Sequence, residues 1–223
     1  MNVLGCLLGL QTDNFVMLAA DTSLENVLVH ILSDVVKIIK VGEKVGIAGI
    51  GIAADRANFL RDLAIEFEFF KVRNHRELQL ESAVHFVNKQ LIKASNAKTM
   101  QLYILVGGYM DDKGYQLHYL DGSGGTTSIP YMAQGIGGKF CETILKLRYR
   151  PDLNQAEVLS IFGDCVVELN KRSLFNFSKL CVAVIDENGF KYLKNIELSK
   201  CLVAESIKNQ KQKEQLKQQK QQK

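Results

Sequence analysis

The order of its predicted elements indicates an α+β protein in which two antiparallel β-sheets pack face to face between two layers of helices. Along the sequence, groups of strands alternate with pairs of helices, an order that no simple strand–helix–strand repeat accommodates. Strands that follow one another directly pair antiparallel, and each helix pair must cover the outer face of a sheet. The 223 residues, 47% of them hydrophobic, suffice for one domain with a substantial core. We therefore expect a four-layer αββα sandwich over residues 1–206.

Apolar runs predict four strands in the first fifty residues, and two helices come after them. The strands are expected over residues 3–10, 15–20, 35–41 and 45–50. Apolar residues at helical spacing then mark the first helix at Leu60, Leu63, Ala64 and Phe67. Similar spacing marks the second helix at Val84, Val87, Leu91 and Ala94. The polar residues 73–76 are predicted to link the two helices.

The second half of the chain is predicted to add three strands, two helices and a final hairpin. The strands are expected over residues 102–109, 115–120 and 126–132, with turns rich in Asp and Gly between them. One helix is predicted over residues 139–148. The next has Asn154 as its N-cap, and Glu157 completes a capping box three residues later. The Asn188-Gly189 step predicts a hairpin between strands at 180–185 and 190–193.

The net positive charge of the chain lies in its last segment. Residues 207–223 hold six lysines and one glutamate, a net charge of +5, whereas the remainder has 22 basic and 23 acidic residues. Because a globular part this close to neutrality offers no basic face, we expect no nucleic-acid partner. The Gln/Lys composition of residues 207–223 contains too few apolar groups to fold alone and predicts a disordered tail.

Cysteine and histidine usage indicates neither a disulfide framework nor a metal centre. The five cysteines are odd in number and lack Cys-x-x-Cys spacing, and no secretory segment is recognisable. Free thiols in a reducing compartment are therefore expected, and we predict localisation in the cytoplasm and nucleus. The four histidines show no metal-ligand spacing, so neither a metal nor a cofactor is predicted. No apolar stretch reaches the length of about 20 residues that a membrane span needs, so no membrane contact is expected.

Several segments of the chain resemble the β-type subunits of the proteasome. Residues 8–11 (LGLQ) and 16–21 (VMLAAD) are similar to the opening of such subunits, and the small-residue run 46–55 (GIAGIGIAAD) follows in the same order. Similarity to their later hairpins is found at residues 105–111 (LVGGYMD), 117–121 (LHYLD) and 184–189 (VIDENG). The resemblance covers residues 2–198 and is strongest to a non-catalytic type at the fourth position of the β ring.

This resemblance implies the N-terminal-nucleophile hydrolase fold and, as partners, other α and β subunits in a 28-subunit barrel. Active members use an N-terminal threonine as nucleophile, supported by a lysine and an aspartate. Asp21 and Lys37 match that aspartate and lysine by their spacing, and Gly51 matches the position whose backbone N–H faces the oxyanion. We expect these three positions to be vestigial, with Asp21 and Lys37 forming a buried ion pair.

The side chains that would carry catalysis are missing from the matching positions. Counting back from Asp21 places the nucleophile at Leu4 or Gly5, and neither has a nucleophilic side chain. Three further motifs of the family are altered, and they read Thr22-Ser23, Gly135-Ile136-Gly137, and Ser173 with Asn176. The resemblance therefore implies a structural subunit and not an enzyme, one that supports ATP- and ubiquitin-dependent protein degradation by other subunits.

Two alternatives to a silent subunit remain open. An active hydrolase would use Cys6 as its nucleophile after self-cleavage behind Gly5, although Cys6 is one residue out of register with Asp21. We favour a buried strand cysteine at this position. We also expect Met1 to be retained, because Asn2 is too large for efficient removal of Met1. The second alternative is a free-standing binding protein on the same fold.

Overall fold

Two antiparallel sheets between two helical layers make up the structure, a computed structural model that describes residues 5–26, 29–32, 34–97, 101–172 and 177–202. The predicted αββα sandwich is confirmed. The predicted tail, residues 207–223, lies outside the described ranges. In chain order the elements are β1 (Cys6–Gln11), β2 (Val16–Asp21), β3 (Leu24–Asn26), β4 (Val29–Leu32), β5 (Ile38–Gly42), β6 (Val45–Gly51), α1 (Ala53–Asn74), α2 (Leu80–Ala97), β7 (Leu102–Met110), β8 (Gly114–Asp121), β9 (Thr126–Ser128), β10 (Tyr131–Gly135), α3 (Gly138–Arg148), α4 (Gln155–Arg172), β11 (Lys179–Asp186), β12 (Gly189–Tyr192) and β13 (Ile196–Glu197).

The two sheets take their strands from different parts of the chain. The first sheet has the order β10-β1-β2-β11-β12, and β13 pairs with β11 beside β12. The second sheet has the order β5-β6-β7-β8-β9. All pairings among the described strands are antiparallel, both between strands joined by short turns and between strands distant in sequence. A small hairpin of β3 and β4 stands apart from both sheets.

Three apolar clusters fill the spaces between the four layers. The first lies between the first sheet and the helices α3 and α4, and the second lies between the second sheet and the helices α1 and α2. The third fills the space between the sheets. Alternate residues of β1 serve different clusters: Leu8 faces α3 and α4, whereas Leu7 faces the other sheet. This double burial explains why β1 and β2 read as continuous apolar runs.

One predicted strand is wrong, because residues 126–132 do not form a single strand. The segment splits into β9, which pairs with β8 in the second sheet, and β10, which pairs with β1 in the first. Pro130 lies between them and has no backbone N–H to continue a ladder. Its carbonyl accepts a hydrogen bond from the N–H of Gln11 at 2.8 Å. The chain therefore crosses from one sheet to the other at Pro130.

The predicted helix link at residues 73–76 starts two residues too early. Helix α1 continues through Asn74, and His75 ends it in the left-handed conformation with φ of 52°. Glu77 then holds the link against the β5–β6 turn. Its carboxylate accepts hydrogen bonds from Glu43 N at 2.6 Å and from Lys71 Nζ at 2.8 Å.

Two local predictions are confirmed at the level of hydrogen bonds. The N–H of Glu157 donates to Asn154 Oδ1 at 3.0 Å, and the N–H of Asn154 donates to Glu157 Oε2 at 2.9 Å, which is the reciprocal capping box. At the predicted hairpin, β11 and β12 pair from Asp186 opposite Gly189. Gly189 has φ of 94°, a conformation that favours glycine. The hairpin β3–β4 and the strand β13 were not predicted.

Candidate functional site

Asp21 and Lys37 meet at the buried end of the sandwich. Asp21 is the last residue of β2, and Lys37 directly precedes β5 in the other sheet. The ammonium of Lys37 donates to Asp21 Oδ2 at 2.6 Å and to the carbonyl oxygen of Ser23 at 2.9 Å. Both side chains are at most 3% exposed. The predicted buried ion pair is therefore present.

Main-chain contacts hold both members of the pair in place. The N–H of Gly49 in β6 donates to the carbonyl of Lys37 at 2.9 Å, which ties the lysine backbone to the second sheet. On the other side, the N–H of Cys6 donates to Asp21 Oδ1 at 2.7 Å. Each carboxylate oxygen thus accepts one short hydrogen bond, which satisfies a charge that would be costly to bury alone.

Burial makes Lys37 a weaker base than a lysine in water. Removal from solvent lowers the pKa of Lys37 below its usual value, and the adjacent Asp21 carboxylate offsets part of that effect. A second cation, Arg56, lowers the pKa of Lys37 further. Lysines with a lowered pKa serve as proton acceptors in many active sites, and burial shifts the pKa of Lys37 in that direction.

Gly5, one of the two positions predicted for the nucleophile, lies beside this pair. A β-carbon added to Gly5 would lie 3.0 Å from Asp21 Oδ1 and 3.6 Å from Lys37 Nζ. Of the two candidate positions, Gly5 therefore faces the pair, whereas Leu4 lies outside the described residues. With φ of 122°, Gly5 also has a backbone conformation that other residues rarely adopt. The arrangement has the supporting charges but no hydroxyl or thiol at this carbon.

Cys6 directs its side chain away from Lys37. Consecutive residues of a strand point to opposite faces, and the fully buried Cys6 packs in the cluster between β1 and the helices α3 and α4. Cys141 and Cys165 belong to the same cluster. Hydrogen bonds to Cys165 and Cys6, together with burial, raise the pKa of the Cys141 thiol. The prediction of a buried strand cysteine at position 6 is confirmed.

The other positions predicted from the family motifs are Gly51, Ile136, the pair Thr22 and Ser23, and the pair Ser173 and Asn176. Gly51 ends β6, next to Ile50, whose side chain lies beside the Gly5 position. The N–H of Ile136 donates to the carbonyl of Gly5 at 3.1 Å, and its apolar side chain packs against the α3–α4 cluster. Thr22 and Ser23 are buried beyond the end of β2. Ser173 and Asn176 lie outside the described residues.

Arg56 is a charged residue of the site that the sequence reasoning missed. It lies in the first turn of α1 and is 3% exposed. Its burial has a visible signal, because Arg56, Phe59, Leu60 and Leu63 fall at helical spacing on the buried face of α1. Desolvation lowers the pKa of Arg56, and the Asp21 carboxylate counteracts that effect.

The described residues contain neither a metal-binding cluster nor a helix that could span a membrane. No group of three or more histidine, cysteine, aspartate or glutamate side chains in these ranges is arranged to hold a metal ion. The described helices include none that is both long and apolar enough to cross a membrane. His118 is half-buried, and its ring nitrogen lies 3.1 Å from Gln116 Oε1, so its environment is that of a locally bonded histidine.

Comparisons with known proteins agree with the fold. The family model for proteasome subunits matches residues 3–185. Proteasome subunit beta type-2 of Caenorhabditis elegans is 30% identical over 200 residues, which cover 85% of this chain and 98% of that protein. Proteasome subunit beta 2 of Pyrococcus abyssi is 30% identical over 199 residues, covering 87% and 92% of the two chains. Proteasome subunit beta type-4 of Saccharomyces cerevisiae is 29% identical over 152 residues, covering 66% and 75%.

The match to the family model takes in the first strands of both sheets, the four helices of the described ranges, and both Asp21 and Lys37. The similarity to beta type-2 subunits extends over most of the chain. The chain therefore belongs to the proteasome subunit family, as one of its β-type members.

Proposed function

We propose that this chain is a non-catalytic, structural subunit of the β ring of the 20S proteasome core. In this role it supplies wall and contacts to neighbouring subunits, while other β subunits hydrolyse peptides. The family match and the similarity to beta type-2 subunits support a place in the β ring. The chemistry at Gly5 supports the absence of catalysis.

One observation carries the proposal: the carbon that faces Asp21 and Lys37 belongs to a glycine. Nucleophilic catalysis needs an oxygen or sulfur within reach of a base. At Gly5 the first side-chain atom is already absent, although its place lies 3.6 Å from Lys37 Nζ. Ile136 supplies only its backbone N–H to this region. The supporting pair thus has no nucleophile to activate.

The proposed partners are the other α and β subunits of a 28-subunit barrel, with this chain at the fourth position of the β ring. The proposed compartments are the cytoplasm and nucleus, and the proposed process is ATP- and ubiquitin-dependent protein degradation. A closed ring requires every position to be filled, so a silent subunit still determines whether the particle assembles.

Purification through a tag on this chain, followed by labelling with an epoxyketone probe, tests both parts of the proposal. We expect the chain to co-purify with other proteasome α and β subunits. The probe should attach to threonine subunits of the same particle, which serve as the internal control, and not to this chain. Covalent labelling of this chain would refute the silent role, and recovery of the chain alone would refute the ring assignment.

The Cys6 alternative is tested by the intact mass of the chain from the same preparation. Self-cleavage behind Gly5 would leave a polypeptide that starts at Cys6, whereas the proposed function predicts a chain that still contains Gly5. The orientation of the Cys6 thiol toward α3 and α4 argues against the alternative. The free-standing binding protein is tested by size-exclusion chromatography of cell extract, because a ring subunit elutes with the barrel.

A further inference from the structure

Helix α1 carries large apolar side chains on the face that it turns to solvent. Ile65, Phe69 and Val72 are 60%, 65% and 65% exposed. They follow one another after four and three residues, so they form one line along the helix, which is called the α1 stripe below. The opposite face of α1 holds the apolar residues that are buried in the second cluster: Phe59, Leu60, Leu63 and Phe67. α1 is therefore apolar on two faces, whereas a helix that only covers a sheet needs one.

Helix α2 has the polar outer face that is expected of a helix in contact with water. Between residues 80 and 96, its exposed positions all carry polar side chains: Glu81, Ser82, His85, Lys89, Lys93 and Asn96. Both helices cover the same sheet, so packing against that sheet does not account for the difference. Contiguous exposed apolar side chains mark surfaces that another molecule covers. The α1 stripe is such a surface.

A groove between α1 and α2 lies beside the α1 stripe. Its volume is about 280 Å³, and since a water molecule takes about 30 Å³ in the liquid, the groove has room for a long side chain. Asp62 and Glu66, both within one turn of Ile65, line the groove from α1, and Lys93 lines it from α2. Gln90 Nε2 donates to Glu66 Oε2 at 2.7 Å and holds this carboxylate at the groove. Two carboxylates and one ammonium give the groove a net negative charge.

The charge and the length of this surface restrict what covers it. Asp62, Glu66 and the exposed Glu68 border the α1 stripe and repel an anionic membrane surface. The lysine-rich residues 207–223 of the same chain contain only two apolar side chains, Ile207 and Leu216, which are too few to cover the α1 stripe. The occupant that fits is a helix with its own apolar line and with a basic residue beside it.

We propose that the α1 stripe docks an amphipathic helix of another subunit of the particle, and that this helix places a lysine or arginine side chain in the α1–α2 groove. The inference rests on the proposed function and deepens it, since it locates a contact that holds the chain in the barrel. Helices that dock in this way use anchors at the spacing that the α1 stripe offers. The basic group of the partner meets the carboxylates of Asp62 and Glu66.

The two features have different roles in the contact. Burial of Ile65, Phe69 and Val72 removes apolar surface from water and supplies most of the affinity. The negative groove selects a partner with a basic side chain and disfavours one with a carboxylate at that place. A subunit with the wrong charge would therefore be rejected even where its apolar line matched.

Photo-crosslinking in the assembled particle tests the proposal. The full chain, with p-benzoylphenylalanine in place of Phe69, is expressed in cells, and the particle is purified through a tag on this chain. After irradiation, the crosslinked peptides are identified by mass spectrometry. We expect a crosslink to one other proteasome subunit, in a helical segment that has a lysine or arginine within one turn of the attachment point. The control position is Leu147, which is 80% exposed on α3 in the opposite helical layer and should not crosslink to that segment.

Substitutions in the α1 stripe and in the groove separate the two roles. Phe69→Asp should lower the amount of chain recovered with the particle by about tenfold or more, and Phe69→Ala should lower it less. The thermal midpoint of the isolated chain should not change, because Phe69 is 65% exposed. Asp62→Lys combined with Glu66→Lys should also lower recovery. Asp152→Lys, at a side chain 74% exposed in the opposite layer, is the matched control and should leave recovery unchanged.

Three results would overturn the inference. The first is a crosslink from position 69 to a second copy of this chain, to its own residues 207–223 or to lipid, or no crosslink at all. The second is a crosslinked segment without a nearby basic residue. The third is full recovery of Phe69→Asp or of the doubly substituted groove variant with the particle. If the unsubstituted chain recovers no other subunit, the ring function itself fails; if it recovers them, these results count against the inference alone.

Discussion

Replacing Lys37 by methionine isolates the ammonium group of the buried pair. Methionine preserves most of the unbranched side chain, so the packing of the aliphatic stem changes little. The substitution leaves Asp21 Oδ2 and the carbonyl of Ser23 without their donor, while Asp21 Oδ1 keeps the hydrogen bond from Cys6 N. The result is a buried carboxylate with one of its two short contacts removed.

The expected loss of stability follows from this burial. Removal of one partner from a buried ion pair costs about 3–5 kcal/mol. For a domain of this size, each kcal/mol lowers the unfolding midpoint by about 2–4 °C. Lys37→Met should therefore lower the midpoint by about 6–20 °C. Thermal unfolding of the purified chain by circular dichroism measures this shift and suits a chain without tryptophan.

Two matched variants make the measurement specific to burial. Lys71→Met removes the same group from a pair with Glu77 in which the lysine side chain is 50% exposed, and it should cost no more than about 1 kcal/mol. Asp21→Asn combined with Lys37→Met removes both charges and should be less destabilised than Lys37→Met alone. If Lys37→Met unfolds at the same midpoint as Lys71→Met, the account of the pair is wrong.

Three further predictions concern other positions. Gly135→Ala should destabilise the chain by more than about 1 kcal/mol, because the φ of Gly135 is 97° and a β-carbon there would clash with Gly5 O. The control Gly114→Ala should cost less, because Gly114 has φ of 72° but open space around it. Equal thermal midpoints for the two variants would contradict the clash. Asn154→Ala should cost about 1 kcal/mol by removing the cap on Glu157 N, whereas an unchanged midpoint would show that the cap contributes nothing. Partial burial lowers the pKa of His118 below its usual 6.5, so around and below pH 6.5 the unfolded chain binds more protons than the folded chain. The free energy of unfolding should therefore fall as the pH falls through 6.5. Urea titrations at several pH values measure this slope, and His118→Gln should flatten it.

The architecture could be predicted because burial on both faces leaves a plain signal in the sequence. The strands β1 and β2 lie between a helical layer and the opposite sheet, so nearly every residue is apolar and the runs stand out. The capping box at Asn154 and the Asn-Gly hairpin are local motifs with their own geometry, and both formed as predicted. These features need only neighbours in sequence to be recognised.

The missed features depend on contacts between distant residues. Residues 126–132 read as one strand because pairing partners in two different sheets are invisible in a local pattern. Spacing alone left Leu4 and Gly5 as equal candidates, and only the folded backbone shows that the Gly5 Cβ position faces the pair, 3.0 Å from Asp21 Oδ1. Arg56 was missed because a single arginine in a helix normally faces solvent.

The crossing of the chain from one sheet to the other at Pro130 couples the unfolding of the two sheets. β9 is the edge strand of one sheet and β10 is the edge strand of the other. The ten-residue segment 126–135 is therefore hydrogen-bonded into both sheets. If one sheet unfolds, the segment 126–135 is also pulled away from the other sheet. We therefore expect the two sheets to unfold together, without a partly unfolded state in which one sheet stays intact. Proteases should then cleave only the globally unfolded domain.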